Sequence, residues 1–422
     1  MRFDELELTE ELLDGLDTMN FQEMTPVQEK AIPIILEGRD VVASAQTGTG
    51  KTAAFVLPLL NQLSNNNYQE NKIKAIIMAP TRELAQQIDT QIEGFSYFLP
   101  VSSLLVYGGG TGPDWEVQKR GMKLGADIIV ATPGRLISHL EHSKIDLSHV
   151  KHFILDEADK MLDMGFADDI KKIVEYLPED RQTVLFSATM PLKIQKLIAS
   201  ILHNPVHVNV AVSKPNESIE QFVYICYENQ KLNLVEHIIK ENPDQTVIIF
   251  CSSKKKVGDV AYHLKRKKIR AAAMHSDLEQ DERQQVLLDY RNRKLDVLVA
   301  TDILSRGIDI DNVGLVINWD LPMDTEDYIH RIGRTGRADA KGKAISLIGE
   351  KEQRGLVKVC RLIGRDIEQL PIPEYIGESP EFNPNAGRTP SRHNRPNNNR
   401  PHHSEEHKSK PVLKKRTHFT PN

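Results

Sequence analysis

Short, continuously apolar runs recur along the first half of the chain: Asp40-Val-Val-Ala, Ala75-Ile-Ile-Met-Ala, Asp127-Ile-Ile-Val-Ala, His152-Phe-Ile-Leu and Thr183-Val-Leu-Phe-Ser. Runs of this length and character read as strands buried on both faces of a parallel sheet. Between them, segments such as Glu83 to Tyr97 and Ala167 to Tyr176 carry apolar residues at helical spacing, so the alternation predicts βαβ units in a doubly wound sheet. A second series, Thr246-Val-Ile-Ile-Phe, Ala271-Ala-Ala-Met, Asp296-Val-Leu-Val-Ala, Leu315-Val-Ile-Asn and Ala344-Ile-Ser-Leu-Ile, predicts a second sheet of the same α/β class. The polar, proline-bearing stretch Val212 to Ser218 lies between the two series and reads as a linker. The expected organisation is therefore a domain over 1–211, a linker over 212–218 and a domain over 219–375.

Composition adds a third region. The 422 residues are 40% hydrophobic and 27% charged, ordinary for soluble protein, with room for two domains and an appendage. From 376 to 422 the chain turns to Pro, Asn, Arg, His and Ser, too poor in apolar groups to offset ordering entropy, and is expected to be a disordered tail. Residues 387–422 hold nine Lys/Arg against Glu405 and Glu406, a local charge of +7, which leaves −12 on residues 1–386 within the net −5. An acidic body argues against a broad field-driven nucleic-acid surface, so such a site must be a local track of placed residues. The acidic start lacks the basic and apolar regions of a signal peptide, and no apolar stretch approaches the roughly 20 residues of a membrane span. A cytoplasmic protein is expected. Cys226, Cys251 and Cys360 show no metal-type spacing and read as inert thiols.

The candidate chemistry begins directly after the first apolar run. Ala45, Gln46, Thr47, Gly48, Thr49, Gly50, Lys51 and Thr52 fit a phosphate loop, G-x-x-x-x-G-K-[ST], with Ala45 at the first glycine. Gly48 and Gly50 let backbone N–H groups approach phosphate at a helix start, Lys51 reaches the β/γ oxygens, and the Thr52 hydroxyl is a Mg²⁺ ligand. About a hundred residues on, the run ending at Leu155 delivers Asp156 and Glu157 to the edge of the sheet, where open α/β folds bind ligands. Asp156 is placed to hold Mg²⁺ and Glu157 to polarise an attacking water. An acidic cluster alone is more often a solvated turn; paired with the phosphate loop it indicates an NTPase.

Asp156-Glu-Ala-Asp159 is the signature of the DEAD-box helicases, and further segments from Phe21 to Arg337 resemble that family's motifs in order. The resemblance implies two RecA-like domains, each a mostly parallel sheet with helices on both faces, and an RNA-stimulated ATPase using ATP and Mg²⁺. It assigns Phe21 and Gln28, in Thr25-Pro-Val-Gln28, to the adenine. Pro80, Thr81 and Arg82, then Gly109, then Thr132, Pro133, Gly134 and Arg135 are similar to first-domain RNA contacts, although any one alone would more often be a capped turn. Ser187 and Thr189 resemble the element that couples hydrolysis to strand separation. In the second half, Arg283 and Thr301 are similar to RNA-contacting residues, and Asp309 to a ribose contact. His330-Arg-Ile-Gly-Arg-Thr-Gly-Arg337 spaces its arginines by three along one side of a helical turn, and the family implies that Arg334 and Arg337 reach the γ-phosphate.

The implied function is local, ATP-driven separation or remodelling of RNA duplexes and RNA–protein complexes, with little sequence preference. The chain looks closest to the bacterial RhlE-like branch, and ribosomal or RNA-degradation partners follow only by analogy. A DNA helicase is the rival of the same fold. An ATP-locked RNA clamp is the rival of another class, against which Glu157, Arg334 and Arg337 are all intact.

Overall fold

The apolar runs form strands where the sequence places them, and each sheet gains strands that the runs do not mark. The computed structural model describes residues 1–45, 49–65, 68–108, 112–209, 219–302, 313–336 and 342–383. Among these, the first sheet comprises β1 (Val41–Ser44), β2 (Ala75–Met78), β3 (Ser103–Val106), β4 (Ile128–Ala131), β5 (His152–Leu155), β6 (Gln182–Ser187) and β7 (Val206–Asn209), in the order β3-β4-β2-β5-β6-β1-β7. The second comprises β8 (Ile219–Ile225), β9 (Val247–Phe250), β10 (Ala271–Met274), β11 (Val297–Ala300), β12 (Leu315–Asn318), β13 (Gly342–Ile348) and β14 (Glu368–Gln369), in the order β10-β11-β9-β12-β13-β8-β14. All pairings are parallel, with β2 in register Ala75↔Ile128 and Ala75↔His152.

Alternation along each strand sends side chains into two cores, one per face. In the first sheet Val41, Ala43, Ile77, Ile128 and Val130 join one cluster, while Val42, Ile76, Met78, Ile129 and Ala131 join the other. The second sheet splits in the same way, with Val247, Ile249, Leu315 and Ile317 on one face and Ile248, Phe250 and Val316 on the opposite. Burial on both faces is why these strands are apolar throughout. Both sheets belong to one compact unit, Met1–Pro384. The doubly wound pair matches the expected RecA-like lobes.

Helix starts follow local chemistry. Thr81 accepts from Leu84 N at 3.3 Å to begin the helix Arg82–Phe95, and Ser253 caps Lys254–Arg266 by accepting from Lys256 N at 3.4 Å. Pro26 opens Pro26–Leu36 after Thr25. Among the described residues, no helix is long and apolar enough to cross a membrane.

The expected linker 212–218 and the tail from 384 onward lie outside the described residues. The expected boundary at 376 needs correction, because the next residues are bound to the second lobe. Gln230 Nε2 donates to Ile376 O at 3.4 Å and Glu378 O at 3.0 Å, Ser379 Oγ to Ile225 O at 2.7 Å, and Asn383 N to Gln353 Oε1 at 2.5 Å. Lobe side chains satisfy the segment's backbone and Ser379 satisfies a lobe carbonyl, so low apolar content did not leave it without partners.

Candidate functional site

Strand order sorts the candidate residues into two halves of one sheet edge. The neighbours β5, β6 and β1 end at Asp156, Ser187 and Ala45, and the neighbours β3, β4 and β2 end beside Gly108, Thr132 and Pro80. The nucleotide and nucleic-acid candidates thus occupy adjacent stretches of the C-terminal edge, the usual ligand side of such a sheet.

In the nucleotide half, Ala45 is buried and its N–H donates to Ser187 O at 3.2 Å. Gln46, Thr47 and Gly48 lie outside the described residues. After Thr49, Gly50 has φ +85°, a conformation that favours glycine, and a Cβ there would meet Gln28 Nε2 at 2.5 Å and displace that amide. Lys51 and Thr52 then open the helix Lys51–Asn65. The Lys51 ammonium is buried and makes no hydrogen bond among the described residues, with Asp156 Oδ1 3.9 Å away.

Asp156 and Glu157 are both buried, and Asp156 Oδ1 accepts from Glu157 N at 2.9 Å. Glu157 has φ +51° and ψ +48°, a strained left-handed conformation for a residue with a side chain. Its Oε2 makes no hydrogen bond. Burial raises the pKa of both carboxyls, with Lys51 opposing the shift. Asp159 is buried beside them, so the cluster carries more carboxyls than ammonium groups. An orphaned ammonium fits a phosphate, and buried carboxylates near the Thr52 helix start fit a hard divalent cation such as Mg²⁺.

The adenine candidates are placed less simply. Phe21 is half-buried, edge-on to Phe95 with centroids 5.1 Å apart. Gln28 is buried, its Oε1 accepting from Thr25 N at 2.8 Å and its Nε2 donating to Gly50 O at 3.0 Å. The amide thus caps its own helix and ties it to the phosphate loop, and each end keeps capacity for one further hydrogen bond. The coupling candidates Ser187 and Thr189 are joined to the acidic cluster: Asp159 Oδ2 accepts from Thr189 N at 3.2 Å, and Ser187 Oγ donates to Thr189 O at 2.7 Å.

In the other half, Pro80, Thr81 and Arg82 form the start of one helix, and Thr132, Pro133, Gly134 and Arg135 the start of another, Pro133–His142. Gly109 lies outside the described residues, as do Asp309 and Arg337. From the second lobe, Thr301 follows β11, its N–H donating to Met274 O at 3.3 Å.

Two expectations change. Arg283 is not presented as an open RNA contact: its Nη2 lies 2.7 Å from Glu83 Oε1, an ion pair between lobes with side chains 12% and 7% exposed. A second pair between lobes joins Lys160 Nζ to Asp327 Oδ1 at 3.5 Å. Nor do Arg331 and Arg334 lie on one helix, and Arg337 is outside the described residues. The helix Thr325–Ile332 stops before Gly333 and Gly336, the latter at φ +70°. Arg331 is 1% exposed, donating to Asp302 Oδ1 at 2.6 Å and Oδ2 at 2.9 Å, and to Asp320 O at 2.7 Å. Arg334 follows in the turn and is also buried. Sequence reasoning missed Glu83, Lys160, Asp302 and Asp327 as partners, since nothing along the chain signals a pairing across 29, 167 or 200 residues.

Family models for the DEAD/DEAH box helicase and the helicase conserved C-terminal domain match residues 25–197 and 230–339. The chain is 41% identical over 372 residues to the DEAD-box ATP-dependent RNA helicase RhpA of Helicobacter pylori, covering 88% of this chain and 74% of that protein. It resembles S. cerevisiae Dbp5 bound to RNA and ADP BeF3 with a TM-score of 0.79 at 34% identity, covering 88% of this chain and 95% of that one. A DEAD box protein from Methanococcus jannaschii is 38% identical over 88% of this chain and 99% of its own, with a TM-score of 0.51.

Proposed function

Because the chain belongs to the DEAD-box helicase family, we propose that it is an ATP-dependent RNA helicase in which ATP and single-stranded RNA bind between the lobes and hold them closed. The observation that carries this reading is the buried, unbonded Lys51 ammonium set against Asp156 and Glu157 at the end of β5. Lys51 binds the β/γ-phosphate oxygens of ATP. Glu157 orients the attacking water, because a loose phosphoryl-transfer transition state needs an aligned nucleophile more than a strong base. Mg²⁺, held by Asp156 and Thr52, supplies neutralisation of phosphate charge when bound. Arg334 and Arg337 approach the γ-phosphate from the second lobe, so chemistry requires closure. Phe21, Gln28 and Asp309 hold the nucleoside, and Ser187 and Thr189 transmit the state of the site through Asp159.

RNA lies along the other half of the sheet edge, on Pro80 to Arg82, Gly109 and Thr132 to Arg135, with Thr301 from the second lobe. Arg283 acts in this reading by pairing with Glu83 on closure. A cytoplasmic location, ribosomal or RNA-degradation partners and membership of the RhlE-like branch belong to the same proposal. The test is strand release from short RNA and DNA duplexes with single-stranded extensions, with ATP, with a nonhydrolysable analogue and without nucleotide. Release of the RNA duplex that requires ATP supports the reading. Equal release of the DNA duplex favours the DNA helicase, and ATP-dependent RNA binding with no release favours the clamp.

A further inference from the structure

A partly buried cluster at the RNA half of the sheet edge ties three of the proposed RNA-contact segments together. Gln118, in the helix Gly112–Leu124, is buried, and its Nε2 donates to Tyr107 O at 3.1 Å. That bond sets the orientation of the amide and turns Oε1 the other way, where it accepts from Arg135 Nε at 2.9 Å and faces His139 Nε2 at 3.1 Å. Because the amide oxygen only accepts, His139 carries its proton on Nε2. Burial, with Arg135 and Lys119 nearby, pushes the His139 pKa down to about 4, so the ring adds no charge against the guanidinium.

Trp115 closes the cluster. Its ring stacks on His139 with centroids 3.7 Å apart and planes 18° apart, and the Arg135 guanidinium lies 4.9 Å from its centroid, within cation–π range. An indole engaged by both groups holds the arginine in place and is not a stacking surface for a base. Gln86 Nε2 donates to Tyr107 Oη at 2.8 Å. A continuous path therefore runs from Gln86, in the Pro80 segment, through Tyr107, which precedes Gly108-Gly109, to Gln118 and Arg135. Among the described residues Arg135 Nη2 makes no hydrogen bond although it is shielded from solvent, so the guanidinium keeps donor capacity while its Nε is committed to Gln118.

We infer that Gln118 and Trp115 are positioning residues for RNA binding, fixing Arg135 in the rotamer that meets an RNA phosphate and linking it to the other two segments. The inference rests on the reading that Arg135 contacts RNA. Immobilising a long side chain before binding spares that ordering cost at the interface, an effect of roughly 2–10-fold in affinity.

The test measures binding of a labelled oligouridylate to the full chain with a nonhydrolysable ATP analogue over a range of salt. Arg135→Ala is expected to weaken binding and to flatten the salt dependence by roughly 0.7 in log–log slope. Gln118→Met and Trp115→Ala each weaken binding roughly 2–10-fold, flatten the slope in the same sense, and add nothing in the Arg135→Ala background. Trp115→Phe, which keeps an aromatic face, loses less, and serves in place of Trp115→Ala should that variant lose affinity for the ATP analogue. Parent-like affinity for the analogue in each variant separates lost positioning from a damaged fold. Full additivity with Arg135→Ala, or parent-like RNA binding by Gln118→Met and Trp115→Phe while Arg135→Ala is weak, overturns the inference. Parent-like RNA binding by Arg135→Ala shows instead that the RNA reading of Arg135 is wrong, and the inference falls with it.

Discussion

Glu157 concentrates strain and charge in one residue. A left-handed backbone at a side-chain-bearing residue is held only where its surroundings over-determine it, and here the Asp156 carboxylate accepts from the strained residue's own N–H. Glu157→Gln is expected to retain ATP and RNA binding while hydrolysis falls by roughly 10²–10⁴-fold, because the amide neither orients nor deprotonates water as a carboxylate does. Near-normal turnover would remove Glu157 from the mechanism. The same residue makes a statement about stability. Its folded-state pKa is raised by burial, so its contribution to stability is fully present below the unfolded value and is lost as pH rises through the folded one. Without nucleotide, thermal unfolding of the parent should therefore lose stability with rising pH more steeply than that of Glu157→Gln. Parallel pH profiles would contradict the upward shift that burial gives the Glu157 carboxyl.

At the scale of elements, Arg331 holds the end of β11 to the helix Thr325–Ile332 through its two-pronged bond to Asp302. Arg331→Ala takes a buried guanidinium away from the buried acceptors Asp320 O and Asn318 Oδ1 and should cost roughly 1–3 kcal/mol in denaturant unfolding, with Arg331→Lys a poor substitute for a planar fork. A loss no larger than that of an exposed arginine would show the pair to be incidental. This arginine also marks where the sequence stops being legible. A spacing of three is a helical signal, yet Gly333 and Gly336 end the helix and give Arg331 and Arg334 different surroundings. Strands buried on both faces, such as β2 and β9, were legible because burial forces continuous apolar runs. The partly exposed β3 and β7, the alternating β8 (Ile219–Ile225) and the polar β14 lack that signal, since edge position or half-burial permits polar residues. Phosphate-loop and acidic motifs were legible because backbone approach and metal chemistry restrict residue type locally. The partners Glu83 and Asp302 were not, because any acidic residue at the right point in space would serve.

The whole molecule is organised around closure. Glu83 lies at the start of Arg82–Phe95 in the first lobe and Arg283 in Gln280–Arg291 of the second, so their pair exists only when the lobes meet. Arg283→Glu should weaken RNA-stimulated turnover, and combining it with Glu83→Arg should restore part of the loss. A double variant as impaired as the sum of the single ones would mean that the pair does not report closure. The bonds of residues 376–383 place the tail's start later than composition suggests, so truncation after Asn383 should preserve the unfolding midpoint, whereas truncation after Tyr375 should lower it. Equal midpoints for the two truncations would make that segment dispensable. The claim on which the account depends is that groups from both lobes complete one ATPase site only when RNA holds them together. It is tested most directly by the steady-state ATPase rate of the full chain and of Arg334→Ala, each with and without saturating single-stranded RNA, alongside ATP binding. The account predicts strong RNA stimulation of the parent, and in Arg334→Ala retained ATP binding with RNA stimulation lost, by comparison with the roughly 10³–10⁵-fold worth of arginine fingers. RNA-stimulated turnover at the parent rate in Arg334→Ala would contradict it.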